Sequence, residues 1–193
     1  MKINDKGIWE NPTAEGHAHD DGLANALVEF FKKEEDPKAN LKIMDIGCGD
    51  GFYSRKLYDN YFLVKAFDGN PNTPALTRGL GEVQDFTMPL DLGARDWVLC
   101  LEVGEHIPHR YENTFIENLD RHNKKGIVLS WAVRGQKGDG HVNCLNNNEV
   151  IPMIERLGYE LDAKASMKLR ESCSLYPKDG YWFRDTLMVF RRI

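Results

Sequence analysis

Apolar positions fall into two periods along the chain. Leu23, Ala26, Leu27, Phe30 and Phe31 recur at helical spacing behind Asp20 or Asp21, either of which can cap a helix, and the polar run Lys32 to Pro37 ends it. Short apolar runs at Leu41 to Ile46, Phe62 to Phe67, Asp96 to Leu101 and Gly126 to Trp131 read as buried strands. Val83 to Phe86 is a candidate third strand, and two more fit near Tyr159 to Ala163 and Thr186 to Arg191. Helical patterns lie between them. One runs from the glycine-rich turn at Gly47 to Gly51 through Tyr58, and another starts at Thr73-Pro74, an N-cap followed by proline at the first helical position. A third covers Tyr111 to His122, with Phe115, Ile116 and Leu119 inward. A fourth, capped by Asn147 or Asn148, carries Val150, Ile151, Ile154 and Leu157 and stops at Gly158; Pro152 sits in its first turn. Short strands alternating with helices predict an α/β fold with a mostly parallel sheet covered on both faces.

Two segments fall outside this alternation. Residues 1–20 are polar, with Trp9, His17 and His19, and read as an N-terminal arm. Residues 167–185 hold Arg170, Tyr176, Tyr181, Trp182 and Phe183 and read as a substrate lid, in which Arg170, or Arg134 before it, could pair with an acidic acceptor. At 193 residues the chain fits a single domain, 1–193, with one well-buried core.

Composition narrows the function classes. No apolar run approaches the ~20 residues that span a bilayer, and the first residues lack the apolar core of a secretory signal. A cytoplasmic protein without a membrane partner is expected. Cys48, Cys100, Cys144 and Cys173 form no C-x-x-C pair, so free thiols are expected rather than disulfides or structural zinc. The net charge of −5, with basic residues only in scattered doublets, weighs against a nucleic-acid partner, whose phosphates demand a basic surface.

The candidate chemistry begins at Asp45-Ile46-Gly47-Cys48-Gly49-Asp50-Gly51, directly after a strand and opening a helix. Its spacing is G-x-G-x-G rather than the G-x-G-x-x-G of dinucleotide binders. A pyrophosphate favours a helix N-terminus free of negative charge. Asp45 and Asp50 instead suit a ligand that carries positive charge. Asp68 ends the second strand, where a carboxylate can accept from ribose hydroxyls. Asp85 follows the third strand, placed to accept from an adenine amino group, with the Phe86 backbone N–H free to donate to a ring nitrogen. Singly, each acidic residue also fits a turn or a solvated loop; their joint order after one glycine loop favours the ligand.

IMDIGCGDG, FDGN, VQDF and DWVLCLEVGEHIP together resemble the successive motifs of class I S-adenosylmethionine-dependent methyltransferases. The likeness runs from about Leu41 to Gly158. Within that class the chain is similar to small methyltransferases related to the ubiquinone-pathway O-methyltransferases. The resemblance implies a Rossmann-like, seven-stranded sheet with its last strand antiparallel. It implies S-adenosylmethionine as cofactor, held by Gly47, Gly49, Asp68 and Asp85, and we add Asp45, Gly51, Phe86 and Glu102 to the expected cofactor site.

Glu102-Val103-Gly104-Glu105-His106 follows the fourth strand, and His141 follows the fifth, so both should face the crevice beyond the strand ends. Three readings fit. His106 or Glu105 is a general base or positions the acceptor. Alternatively, Glu102, Glu105, His106 and His141 hold a divalent metal, as in small-RNA 2′-O-methyltransferases with similar E-x-x-E-H segments. Or the charges only stabilise the loop. The first is adopted, with Glu105, His106 and His141 as catalytic candidates and no metal. The expected function is methyl transfer to an oxygen or nitrogen of a small molecule. The alternatives are a metal-assisted RNA 2′-O-methyltransferase and a nicotinamide-dependent oxidoreductase.

Overall fold

The computed structural model describes residues 2–17, 19–34, 36, 40–174 and 182–193. Seven strands form one sheet: β1 (Lys42–Ile46), β2 (Leu63–Asp68), β3 (Gly81–Val83), β4 (Arg95–Cys100), β5 (Asn123–Leu129), β6 (Tyr159–Leu161) and β7 (Met188–Arg192). Their spatial order is β3-β2-β1-β4-β5-β7-β6. Every neighbouring pair from β3 to β5 is parallel, and only β7 runs against the rest, as the resemblance implied. The order reverses between β1 and β4, which opens a crevice at their carboxyl ends, where such sheets bind ligands.

Strand alternation builds two apolar layers. Met44, Ile46, Val98, Cys100, Ile127 and Leu129 face α4 (Glu112–Arg121) and α5 (Asn147–Glu155). Ile43, Trp97, Leu99, Val128 and Val189 face the opposite layer, with α1 (Asp21–Glu34), α2 (Phe52–Asp59) and α6 (Ala163–Ser172). Two short helices, α3 (Thr73–Leu76) and α7 (Phe183–Thr186), complete the described elements with 3-10 turns at Gly104–His106 and His109–Tyr111. Among the described residues, no helix is long and apolar enough to cross a membrane. All four cysteines are free thiols.

Three local expectations shift. β3 ends at Val83, so Gln84 to Phe86 lie in the loop beyond it rather than in the strand. The cap of α5 is Asn146, not Asn147 or Asn148. Its side chain and that of Glu149 form a reciprocal capping box, which fixes the start one residue earlier. The expected lid 167–185 begins inside α6, whose Leu169 is buried beneath the sheet. Tyr176 and Tyr181 lie outside the described residues.

Candidate active site

A cavity of about 360 Å³ opens at the β1/β4 reversal, within the ~300–1,000 Å³ range of small-ligand pockets. Its floor is the glycine loop. Gly47 and Cys48 both donate backbone N–H groups to the Phe67 carbonyl, at 2.8 and 3.0 Å, which pins the loop to the end of β2. Gly47 has φ 76° and Gly49 φ 56°, and added Cβ atoms would lie 2.2 Å from Val103 and 2.4 Å from His17. The left-handed backbone angles favour glycine at both positions, and a side chain at either would also have to displace Val103 or His17. Gly51 differs. It is the N-cap of α2, faces Thr77, and is not part of the cavity lining.

The acidic companions take separate stations. Asp68 lines the cavity at the head of β2, accepting from the Gly49 N–H at 2.9 Å and the Asn70 N–H at 2.8 Å. Asp45 sits beneath the loop, buried, and accepts from the Ser54 hydroxyl at 2.5 Å. Burial lifts its carboxyl to about 7, against the stabilising Ser54 bond and with help from the nearby Asp68 charge. Asp85 also lines the cavity; Thr87 donates from backbone and hydroxyl to one of its oxygens, and Lys6, which is not a lining residue, donates to the other at 2.6 Å. Burial opposes its charge, yet these bonds hold its carboxyl below the usual range. Phe86 is buried, and its carbonyl accepts from Asn118.

The E-x-x-E-H segment also lines the cavity. Glu102 adopts φ 53°, a left-handed conformation that costs a non-glycine residue roughly 1–3 kcal/mol. It is held there by its N–H bond to Ser130 Oγ and by bonds from Gln136 and Thr186 to its carboxylate. Glu105 is fully buried, and neither carboxylate oxygen has a hydrogen-bond partner among the described residues. Burial first, and the adjoining Glu102 second, push its carboxyl well above the ordinary range; the nearby N–H groups of Glu105 and Ala132 oppose this electrostatically, outside hydrogen-bonding geometry. His106 is driven down to about 4, by burial and then by His141. The two imidazoles meet edge to face with centroids 5.0 Å apart. Their Nδ1 atoms contact backbone carbonyls, His106 at Gly140 (3.3 Å) and His141 at Gln136 (3.2 Å). A carbonyl can only accept, so in its contact His106, neutral at pH 7, carries the proton on Nδ1 and keeps a lone pair on Nε2, while His141 Nδ1 also meets Cys144 Sγ at 3.6 Å. Nε2 of His141 lies 4.0 Å from Glu105 Oε1. Glu105, His106 and His141 each offer one ligand atom within 4.8 Å of the others.

All three catalytic candidates thus form one cluster, in the wall of the cavity that Asp68 and Asp85 also line. The two arginines considered for an acidic acceptor do not join them. Arg134 is engaged bidentately with Glu149, and Arg170 donates to the Leu187 carbonyl. Sequence reasoning missed Lys6, Gln136 and the lining residues Phe52 and Tyr53. An isolated lysine in a polar arm, or a lone glutamine in a loop, carries no pattern to find it by.

No family model and no curated protein matches the sequence. Solved structures do match in shape. The magnesium protoporphyrin IX methyltransferase ChlM from Synechocystis PCC 6803, with SAH bound, superposes with a TM-score of 0.67 at 16% identity, over 88% of this chain and 82% of that one. The chain has the methyltransferase fold. CalS10, an amino pentose methyltransferase from Micromonospora echinaspora with SAM bound, gives a TM-score of 0.65 at 14% identity, over 93% of this chain and 94% of that one. The small RNA methyltransferase HEN1 gives 0.61 at 16% identity, over 88% of this chain but 25% of that one. At these identities the likeness establishes the architecture, and function has to be argued from the site itself.

Proposed function

We propose that the chain is an S-adenosylmethionine-dependent methyltransferase acting on an oxygen or nitrogen of a small molecule. The observation that carries this is the carboxylate of Asp68 at the carboxyl end of β2, lining the cavity beside the backbone of Gly47 and Gly49. That arrangement suits a ribose lying against main chain. The acidic surroundings, Asp45, Asp50, Asp68 and Asp85, suit a cofactor without phosphate that carries an ammonium and a sulfonium.

When bound, that cofactor supplies a methyl group already activated for transfer. The protein's work is then alignment and water exclusion. Asp68 orients the ribose end and the glycine loop carries the chain of the cofactor past it. His106, neutral near pH 7 and with Nε2 free, is placed to accept a proton from a hydroxyl or ammonium acceptor. His141 and Glu105 complete that wall. The test is calorimetry with S-adenosylhomocysteine and, separately, NADH, followed by a labelled-methyl screen of metabolite extracts. Binding of NADH without S-adenosylhomocysteine would select the oxidoreductase alternative.

One observation favours a second reading. A buried carboxylate without a hydrogen-bond partner among the described residues, beside two imidazoles whose Nδ1 atoms meet backbone carbonyls, is a donor set for a divalent cation. A cation at Glu105, His106 and His141 would relieve the unpaired acceptors and polarise an acceptor hydroxyl. The net charge of −5 disfavours pairing that reading with an RNA acceptor.

A further inference from the structure

The cluster around Glu105 holds more acceptors than donors. Among the described residues, three side chains that line the cavity keep buried polar atoms without a hydrogen-bond partner: Glu105 at both carboxylate oxygens, Gln136 at its amide oxygen and Trp9 at its indole nitrogen. Glu105 has no exposed surface, and Gln136 is 7% exposed. The Gln136 amide cannot turn over to fill the gap. Its NH2 group donates to the Glu102 carboxylate at 2.8 Å, and the flipped amide would set oxygen against oxygen there. His106 directs the proton on Nδ1 to the Gly140 carbonyl, so Nε2 adds another acceptor. Against these the set offers one donor, the Trp9 indole N–H. The members adjoin. Nε2 of His141 lies 4.0 Å from Glu105 Oε1, and its Nδ1 lies 3.2 Å from the Gln136 carbonyl. Ring centroids are 5.0 Å apart for His141 and His106 and 5.2 Å for His106 and Trp9.

A buried acceptor without a donor is costly, and a charged one more so. The complement is a ligand that brings donors and no acceptor. A carboxylate or phosphate brings only acceptors. A hydroxyl brings one donor and two lone pairs. An ammonium brings donors and a positive charge with no lone pair at all. The cationic side chains agree with this. Among the described residues no arginine lines the cavity, and its one lysine, Lys137, is exposed. Nothing in the cluster is therefore built to hold an anion. We propose that the methyl acceptor is an amine, whose ammonium docks against the Glu105 carboxylate and the Gln136 amide oxygen. This rests on the S-adenosylmethionine reading above and narrows its oxygen or nitrogen to nitrogen. Trp9, lining the cavity beside His106, adds an aromatic ring that attracts a cation. One ammonium proton passes to the His106 imidazole. The freed nitrogen lone pair then forms the bond to the methyl carbon, while the pair of the methyl–sulfur bond leaves on sulfur.

The experiment sets three probes on one carbon frame, benzylamine, benzyl alcohol and benzoate, against the S-adenosylhomocysteine complex, by calorimetry at pH 7 in EDTA. The proteins are wild type, Glu105→Gln, which keeps the shape and removes the charge, and a control, Lys137→Ala. Wild type should bind benzylamine about tenfold tighter, or more, than either other probe, as expected for hydrogen bonds between charged partners. Glu105→Gln should lose that preference and keep its affinity for S-adenosylhomocysteine. Lys137→Ala should change neither. In the labelled-methyl screen, mass spectrometry should find the label on nitrogen. Benzylamine that binds wild type no better than benzyl alcohol or benzoate overturns the amine assignment, whether or not Glu105→Gln folds, and so does a labelled methyl ether or ester. Equal losses of S-adenosylhomocysteine and benzylamine affinity in Glu105→Gln overturn it as well, since the ammonium at Glu105 is then the cofactor's own. Displacement of benzylamine by Mg or Mn, with EDTA left out, gives the cluster to a divalent cation instead. Each of these leaves the cofactor reading standing. Failure of wild type to bind S-adenosylhomocysteine overturns both.

Discussion

Asp68 reaches back from the end of β2 to accept the backbone N–H of Gly49 at 2.9 Å. One carboxylate thereby ties the second strand to the glycine loop that follows the first. The contact holds the loop open and leaves lone pairs of the same carboxylate facing the cavity, since an ionised carboxylate has about four acceptor sites.

Replacing Asp68 with Ala should weaken S-adenosylhomocysteine binding by about tenfold or more, because hydrogen bonds to a charged group contribute ~1.5–3 kcal/mol. Calorimetry gives the affinity, and a thermal melt of the free protein reports how much of the loss comes from a loosened loop. An unchanged dissociation constant removes Asp68 from the cofactor site.

Asp45 supplies a pH signature. Its folded-state pKa of about 7 lies above its ordinary 3.8. A group raised in the folded state stabilises below its unfolded pKa, and that contribution is lost as pH rises through the folded value. Wild type should therefore lose stability between about pH 4 and above 7. Asp45→Asn keeps an oxygen for the Ser54 hydroxyl and removes the ionisation. The variant should gain on wild type in denaturant melts at pH 8 relative to pH 5. Parallel stability curves for the two proteins would contradict it.

His106→Ala and His141→Ala should bind S-adenosylhomocysteine as wild type does, since their Nδ1 contacts run to the Gly140 and Gln136 carbonyls rather than to Asp68, Asp85 or the glycine loop. At least one should lose turnover once an acceptor is known, the pattern expected when a group acts mainly in the transition state. Full turnover in both variants would return the segment to a purely structural role.

Cation chemistry separates the two readings of Glu105. On the main reading, turnover survives EDTA, and adding Mg or Mn leaves the melting temperature unchanged. On the second, EDTA abolishes turnover, Mg or Mn restores it, and the cation raises the melting temperature of wild type but not of Glu105→Gln. We expect the first outcome; the second would move Glu105, His106 and His141 from proton handling to cation binding.

Much of the fold was legible because its signals are local. The apolar runs that became β1, β4 and β5 are continuous, as strands buried on both faces must be, and the glycine loop sits directly behind the first of them. α6 was not legible. Its residues, Ala163 to Ser172, are good helix formers behind an Asp162 cap, but its buried apolar positions are few, so no hydrophobic period marks it. The surroundings of Asp85 were half legible. Asp85 announced itself by its place after the third strand, whereas its partner Lys6 lies 79 positions away.

The sequence by itself determined the class of fold, the direction of its chain through β1, α2 and β2, and the strand ends that carry Gly47, Gly49, Asp68 and the Glu102 to His106 segment. These follow from hydrophobic period and turn chemistry, which act between near neighbours. Tertiary structure alone decided that Glu105 is buried without a hydrogen-bond partner among the described residues, that His106 and His141 meet, and that the arm lies across the cavity with Lys6 on Asp85. Desolvation and long-range pairing set those features. Both depend on which distant segments exclude water from a given group, and no local pattern of residues encodes that.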